Sequence, residues 1–148
     1  MDARTTDTTP VKGLALLPDT SWVLTPLLAV DGVKDGVVFT RDGMAIGSSD
    51  MDRETKDARA VLSSQLLAAG RALIRECTGG DGAGDVMVTN TDGDTMYVVP
   101  AGETAALQVS GRNIKNLGHL AYQAHVQVAK LAEYLADASH KRTTDGPQ

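Results

Sequence analysis

The stretch of sequence that decides the fold is GVKDGVVFTRDGMAIGSS, residues 32–49. It contains two β-prone runs, residues 37–39 and 44–46, on either side of the turn sequence RDG at 41–43. An Asp-Gly pair provides, at little steric cost, the positive φ that a short hairpin turn requires. We therefore predict that the two runs form a β-hairpin.

A second copy of this pattern lies downstream. The β-prone runs at residues 86–88 and 97–99 flank the turn sequence NTDGD at 90–94. A further turn, AGE at 101–103, leads into residues 105–110, which we predict to be a fifth strand that pairs with the fourth in a meander. A long helical pattern separates the two hairpins, so the predicted order is hairpin, helix, then three strands.

A short helix is predicted before the first hairpin, at residues 19–30. Its sequence, DTSWVLTPLLAV, begins with residues that cap helices well and continues with apolar residues at helical spacing. Pro26 has no backbone N–H to donate, so the helix is either kinked there or restarts with Thr25 as its cap. Trp22 is expected to anchor the core, because it stands among aliphatic residues.

The second helix is predicted from about residue 52 to 78, where Gly79 and Gly80 end it. Spacing of about 100° per residue gathers a broad apolar face that is expected to pack on the sheet: Ala58, Val61, Leu62, Leu66, Ala69, Ala72 and Leu73. Ala60, Leu67 and Ile74 recur every seven residues on roughly the opposite side. We interpret them as a stripe that a partner helix covers; the alternative is that they are isolated exposed apolar residues, which are ordinary.

The third helix is predicted to begin at residue 114 or 116 and to end at 136. One apolar stripe runs along it: Leu117, Leu120, Ala121, Ala124, Val128, Leu131, Ala132 and Leu135. The polar residues Gln123, Gln127, Lys130 and Glu133 are expected outside this stripe. His119 and His125 are too far apart around the helix to form a paired metal site, so both are expected at the surface.

No catalytic, cofactor-binding or metal-ligating residue is predicted. The glycine-rich loop at 79–84 leaves a helix and enters a strand, which is the reverse of the order in phosphate-binding loops. The sequence at 90–94 imitates the start of a calcium loop, but the chain has Thr95 where the loop needs Gly and Ala101 where it needs Glu. Cys77 is the only cysteine, which excludes an intrachain disulfide. The missing constellations favour a binding module over an enzyme.

The composition indicates a single globular domain that binds neither nucleic acid nor anionic membrane. The chain has 148 residues with 42% hydrophobic and 22% charged residues, a net charge of −5 and a pI near 5.0, whereas such partners require a basic patch. No apolar run approaches the roughly 20 residues that span a bilayer, so we expect no membrane insertion and a cytoplasmic protein. The domain is assigned to residues 19–136, and the polar segments 1–18 and 137–148 are expected to be disordered tails.

The order helix, hairpin, long helix, three-strand meander, helix resembles the Roadblock/LC7 domain. The resemblance covers roughly residues 20–135 and rests on three stretches: VDGVKDGVVFTRDGMAIGSSD at 30–50, MYVVPAGETAALQV at 96–109 and LGHLAYQAHVQVAKLAEYL at 117–135. More closely, the chain is similar to the bacterial subgroup that accompanies a Ras-like small GTPase and often a sensor-kinase-like protein.

The resemblance implies an α+β fold with a five-stranded antiparallel sheet in the order 2-1-5-4-3. The first and third helices would lie on one face of the sheet and the second on the other. It also implies a homodimer in which the second helix packs against its mate and the third strands pair edge to edge. The predicted dimer-interface residues are Ala60, Leu67, Ile74, Val86 and Val88.

The function implied by the resemblance is regulation of a Ras-like small GTPase, or service as an assembly scaffold, without chemistry by the domain itself. Two other classes stay open. A longin-like or profilin-like module that binds a small ligand or a protein has the same helix and sheet ingredients but needs a pocket with convergent polar groups. A small enzyme is the third possibility. The surface that contacts a partner is not predicted.

Overall fold

Residues 19–144 are described by a computed structural model of the protein. The elements in chain order are a 3-10 turn Ser21–Leu24, helix α1 Thr25–Leu28, strands β1 Val33–Thr40 and β2 Ala45–Ser48, helix α2 Arg53–Thr78, strands β3 Val86–Thr89, β4 Asp94–Ala101 and β5 Ala105–Arg112, and helix α3 Leu117–Thr144. The strands form one antiparallel sheet in the order β2-β1-β5-β4-β3. The predicted α+β fold and strand order are therefore confirmed.

Both predicted hairpins form, and each turns at a glycine with positive φ. Gly43 has a φ of 95° between β1 and β2, and Gly93 has a φ of 92° between β3 and β4. Side chains with a Cβ rarely adopt this backbone conformation, so the two Asp-Gly pairs account for the position of both turns. The backbone N–H of Thr40 donates to the carbonyl oxygen of Met44 at 2.8 Å and closes the first turn.

The sheet separates two apolar layers. On one face, the 3-10 turn, α1 and α3 pack against Val38, Val99 and Leu107. On the other face, α2 packs against Val37 and Phe39. Successive side chains of a strand point to opposite faces, which is why neighbouring residues of β1 belong to different layers. The predicted division of the helices, two on one face and one on the other, is confirmed.

The predicted rotation of α2 is wrong. Ala60 and Leu67, expected on the outer side, are buried against the sheet, whereas Leu62 and Leu73, expected to pack on it, are each 63% exposed. The reason is the close approach of the helix. A Cβ at Gly70 would lie 2.7 Å from a side-chain carbon of Val86, so the side of the helix that carries the small residues Ala60, Ser63 and Gly70, together with Leu67, meets the sheet, while Leu62 and Leu73 remain outside.

The ends of α2 agree with the prediction. The side chain of Asp52 caps its first turn, accepting a hydrogen bond from the backbone N–H of Thr55 at 2.7 Å. Gly79 ends the helix with a φ of 74°, which is the left-handed conformation that glycine provides at helix C-termini.

The segment before β1 restarts at Pro26, as one of the two alternatives predicted. The 3-10 turn passes into α1 with proline in the first turn, although the residue that precedes the α-helix is Leu24 and not Thr25. The expectation for Trp22 is wrong: its side chain is 40% exposed and packs edge to face on Tyr134, with ring centroids 5.4 Å apart. Its aliphatic neighbours fill the core instead.

Helix α3 is longer than predicted. It begins at Leu117, after Asn116 accepts a hydrogen bond from the backbone N–H of His119 at 2.9 Å, and it continues to Thr144 instead of ending at 136. The polar sequence after 136 contains no glycine or proline before Gly146, so nothing interrupts the helix. The tail predicted at 137–148 is therefore helical to 144; its last four residues and the tail predicted at 1–18 lie outside the described residues.

The apolar stripe of α3 is largely as predicted. Leu120, Ala124, Val128 and Leu131 are buried against the sheet. Gln127, expected outside the stripe, is also buried.

Candidate interaction surface

The predicted dimer-interface residues fall into two groups. Ala60 and Leu67 belong to the protomer's own core and cannot contact a partner, and Val86 is half-buried against the same core. Assigning Ala60 and Leu67 to an interface is therefore wrong, for the reason given for the rotation of α2. Ile74 and Val88 are 49% and 45% exposed and remain available.

A different apolar surface runs along α2 and continues onto the sheet. We call it the α2–β3 face; it consists of Leu62, Leu66, Ala69, Leu73, Val88 and Met96. The helical members follow a spacing of four, three and four residues, which places them on one flank. This flank lies beside β3, because Gly70 is against Val86. Val88 and Met96 are cross-strand partners on the helix-bearing side of the sheet, so the face is continuous.

The sheet edge next to this face is open. Within residues 19–144, β3 pairs with β4 and with no strand on its outer side. The opposite edge, at β2, is covered: the hydroxyl of Thr20 donates to the carbonyl oxygen of Ile46 at 2.8 Å, and the backbone N–H of Ser48 donates to the hydroxyl of Ser21 at 3.0 Å. An unpaired edge next to exposed leucines is typical of a surface on which a further strand and helix pack.

A cavity of about 500 Å³ opens between α2 and the sheet; its surface is mostly apolar, and Leu62 and Met96 belong to its lining. Inside it, the guanidinium of Arg59 donates to the carboxylate of Asp35 at 2.5 Å, and the hydroxyl of Ser110 donates to the same carboxylate oxygen. Burial opposes the charged form of Asp35, but these two hydrogen bonds, together with the positive charges of Arg59 and Lys34, outweigh it and hold the pKa of that carboxyl below its usual value. The cluster ties α2 to β1 and β5.

Gln108 is the one buried residue of this cavity with an unmet hydrogen bond. It is almost fully buried in the middle of β5, and within the described residues its Oε1 has no hydrogen-bond partner. A buried polar atom without a partner is unfavourable, so this oxygen is a local cost to the stability of the fold.

A second polar cluster joins the start of β3 to α3. The carboxylate of Asp85 accepts hydrogen bonds from the hydroxyl of Tyr97 at 2.5 Å and lies 2.8 Å from Nε2 of His125. Burial, and then the hydrogen bond to this carboxylate, raise the pKa of Tyr97. His125 is exposed, as predicted. These contacts hold the segment that leads into the open edge.

Sequence reasoning missed both polar clusters. For the cluster around Asp35, the available signal was the alternation of side chains in β5, where Gln108 and Ser110 stand at positions that point toward α2. Within the described residues, no group of three or more His, Cys, Asp or Glu side chains is arranged to hold a metal ion. None of the helices described is long and apolar enough to cross a membrane.

The sequence matches the family model of the Roadblock/LC7 domain over residues 20–110. The chain belongs to the Roadblock/LC7 family. A Roadblock/LC7 domain from Streptomyces avermitilis is 26% identical, with a TM-score of 0.72, over 80% of this chain and 99% of that chain. A sequence comparison with curated proteins finds no match.

More distant structures show the same fold. MglB of Myxococcus xanthus is 16% identical, with a TM-score of 0.68; the match covers 88% of this Roadblock/LC7 chain and 96% of the MglB chain. Profilin II of Acanthamoeba castellanii is 15% identical with a TM-score of 0.53, over 77% and 96% of the two chains. The Roadblock/LC7 and profilin folds therefore share the arrangement of sheet and helices described above.

Proposed function

We propose that this Roadblock/LC7 protein is a non-catalytic homodimer that regulates, or serves as a scaffold for, a Ras-like small GTPase in a bacterial signalling system. The observation that carries the proposal is the α2–β3 face beside an open strand edge. We further propose a cytoplasmic location. A sensor-kinase-like protein is proposed as a further partner, because such proteins often accompany the subgroup that the sequence resembles.

The dimer would form by isologous packing of the α2–β3 face, in which the same surface of both protomers is covered. Leu62 and Leu73 are each 63% exposed, and full burial of such a leucine contributes up to about 1.5–3 kcal/mol. Antiparallel pairing of two β3 edges would satisfy their free backbone groups. Ile74 and Val88 remain interface residues in this proposal.

The oligomeric state is tested by light scattering on purified protein at tens of micromolar. We expect a dimer for the natural sequence and a folded monomer for the double substitution Leu62→Glu and Leu73→Glu, because four carboxylates would have to enter the interface. The matched control is Val61→Glu with Tyr122→Glu, two exposed residues outside the α2–β3 face, which should remain dimeric. A natural protein that is monomeric at this concentration refutes the dimer.

The role of the dimer toward the GTPase would be indirect. Arg41 donates to the backbone carbonyls of Gly102 and Ala105, and Arg112 forms an exposed ion pair with Asp94 at 3.0 Å, so each would have to give up these contacts to enter another protein's active site. Among Arg41, Arg53 and Arg112, the three arginines considered as a catalytic arginine, Arg53 is exposed at the first residue of α2 and has no such contact in the described structure. We propose instead that the protein acts by ordering the GTPase's own switch segments.

Two measurements test this mechanism. Co-purification with the GTPase encoded beside the gene, loaded with GDP or with a GTP analogue, should recover a complex that depends on the nucleotide. Single-turnover GTP hydrolysis should change little with Arg53→Ala. A loss of about a thousandfold with binding intact would identify Arg53 as a catalytic arginine, and nucleotide hydrolysis by the purified protein alone would refute the non-catalytic role.

The alternative function, a longin-like or profilin-like binding module, is favoured by one observation. The cavity of about 500 Å³ is lined by Gln108 and by the Asp35–Arg59 pair, and a volume of this size suits a small ligand. A ligand that co-purifies with the protein in native mass spectrometry, and that is lost on Gln108→Leu, would support this alternative. Protein that binds the GTPase without any such ligand would count against it.

A further inference from the structure

Three arginine side chains line one groove on the flank of α2 that lies away from the α2–β3 face. Arg71 and Arg75 stand one turn apart on the helix, and Arg41 reaches the same groove from the β1–β2 turn. The groove has a volume of about 320 Å³, and Ser64 and Ala68 complete its floor. This concentration of positive charge stands out in a chain with a net charge of −5.

Backbone carbonyl groups hold all three guanidinium groups in place. Arg41 donates to the carbonyl oxygens of Ala105 at 3.2 Å and Gly102 at 2.8 Å. Arg71 donates to the carbonyl oxygen of Gly82 at 2.9 Å, and Arg75 is 3.4 Å from that of Asp81. These acceptors are neutral, so they orient Arg41 and Arg71, and contact Arg75 more weakly, without neutralising the charges.

Carboxylates compensate the three charges only in part. Among the side chains described, residues 19–139, no Asp or Glu forms an ion pair with Arg41, Arg71 or Arg75. Burial and the nearby charge of Arg71 lower the pKa of Arg41, and the carboxylate of Glu103 offsets only part of this effect. Like charges held together in a fixed arrangement repel one another until an anion lies between them.

We propose that this groove binds a phosphoryl group, supplied either by a free phosphate or diphosphate or by a phosphorylated side chain of a partner. Guanidinium groups present two parallel N–H donors that match the oxygens of a phosphate. A phosphoryl dianion can accept from several of them at once, whereas one carboxylate has two oxygens and one negative charge. The hydroxyl of Ser64 adds a further donor.

The site is independent of the proposed dimer. At about 100° per residue, Arg71 and Leu73 lie roughly 160° apart around α2. Covering the α2–β3 face would therefore leave the groove in water. The phosphoryl site can exist whether or not the proposed dimer or its GTPase partner is correct.

Solution NMR on the full chain tests the site. Inorganic phosphate, diphosphate and a phosphoserine peptide are titrated separately at fixed ionic strength, which sodium chloride keeps constant. We expect saturable shifts of backbone amides along the groove, at Ser64, Arg71, Arg75 and Gly82. The double substitution Arg71→Gln and Arg75→Gln should weaken binding at least about tenfold, since each charge-assisted hydrogen bond contributes that much or more.

The matched control is Lys115→Gln with Lys130→Gln, which removes the same charge at two exposed positions outside the groove. It should bind as tightly as the natural sequence. If the phosphoserine peptide binds more tightly than inorganic phosphate and diphosphate, the ligand is a phosphorylated partner. If inorganic phosphate or diphosphate binds more tightly than the peptide, the ligand is a free anion. The proposal is overturned if none of the three titrations saturates, or if the control pair weakens binding as much as the groove pair while both variants keep a native spectrum.

Discussion

Truncating Leu67 and Leu73 to alanine, one at a time, separates the two sides of α2. Leu67 is 2% exposed and packs in the protomer's own core, whereas Leu73 is 63% exposed on the α2–β3 face. Leu→Ala at a buried site costs about 2–5 kcal/mol of unfolding free energy. At an exposed position the cost within the protomer is usually below about 0.5 kcal/mol.

These energies translate into distinct observations. In a chain of this size each kcal/mol lowers the melting temperature by about 2–4 °C, so Leu67→Ala should lower it by roughly 4–20 °C. This deficit relative to the natural protein should be the same at low and high protein concentration, because Leu67 is packed inside one protomer. Leu73→Ala should instead weaken association. The dissociation constant of the dimer should rise about tenfold for each 1.4 kcal/mol of binding free energy that is lost with the buried side chain.

Calorimetry at two concentrations, together with sedimentation equilibrium, measures both effects. The reasoning is refuted if Leu73→Ala lowers the unfolding free energy of the monomer more than Leu67→Ala does. That result would mean that the broad leucine face packs on the sheet after all. It would also remove the apolar surface on which the proposed dimer depends.

Two further predictions concern the polar clusters. Tyr97→Phe, which removes the hydroxyl that donates to Asp85, should destabilise the protein by about 1–2 kcal/mol in thermal unfolding, while Tyr122→Phe at an exposed position should change nothing measurable. The pKa of Asp35 is lowered in the folded state. The ionised carboxylate therefore stabilises the fold at pH values above the pKa of an unfolded Asp, about 3.9. This stabilisation is lost as the pH falls through the lower pKa of the folded state. Asp35→Asn should therefore be less stable than the natural protein at neutral pH, and the difference should shrink toward pH 2; a difference that stays constant with pH contradicts this assignment.

The hairpins could be predicted from sequence because their determinants are local. Gly43 and Gly93 have the positive φ values that their Asp-Gly pairs predict, and no distant contact is needed to place the turns. The same holds for the C-terminus of α2 at Gly79. With both hairpins and the long helix placed, the resemblance to the Roadblock/LC7 domain supplied the strand order.

The rotation of α2 could not be predicted in this way. Helical periodicity shows which residues share a side, but not which side faces the sheet when both carry apolar residues. The choice depends on how closely the helix can approach, and this is decided at Gly70 by Val86, which belongs to another element. Trp22 shows the same limit, since its aromatic partner Tyr134 lies at the far end of the chain.

The groove arginines were also beyond sequence reasoning. Arg71 and Arg75 share a flank of one helix, and their spacing indicates as much. Arg41 joins them because the β1–β2 turn lies against α2, where Gly43 approaches Val61 and Ser64. Since this contact is tertiary, no pattern in the sequence links the three residues.

The arginines of α2 are used in two ways, and the difference leads to a last prediction. Arg59, whose cavity opens on the α2–β3 face, is paired with Asp35, whereas Arg71 and Arg75 are held by carbonyl groups alone. An unpaired charge beside a surface that loses water on association opposes that association, while an unpaired charge in water is well solvated. Asp35→Asn should therefore weaken the dimer in sedimentation equilibrium at neutral pH, and Arg71→Gln with Arg75→Gln should leave its dissociation constant unchanged. If the groove pair weakens the dimer and Asp35→Asn does not, the two flanks of α2 have been assigned the wrong roles, and association must occur through the groove.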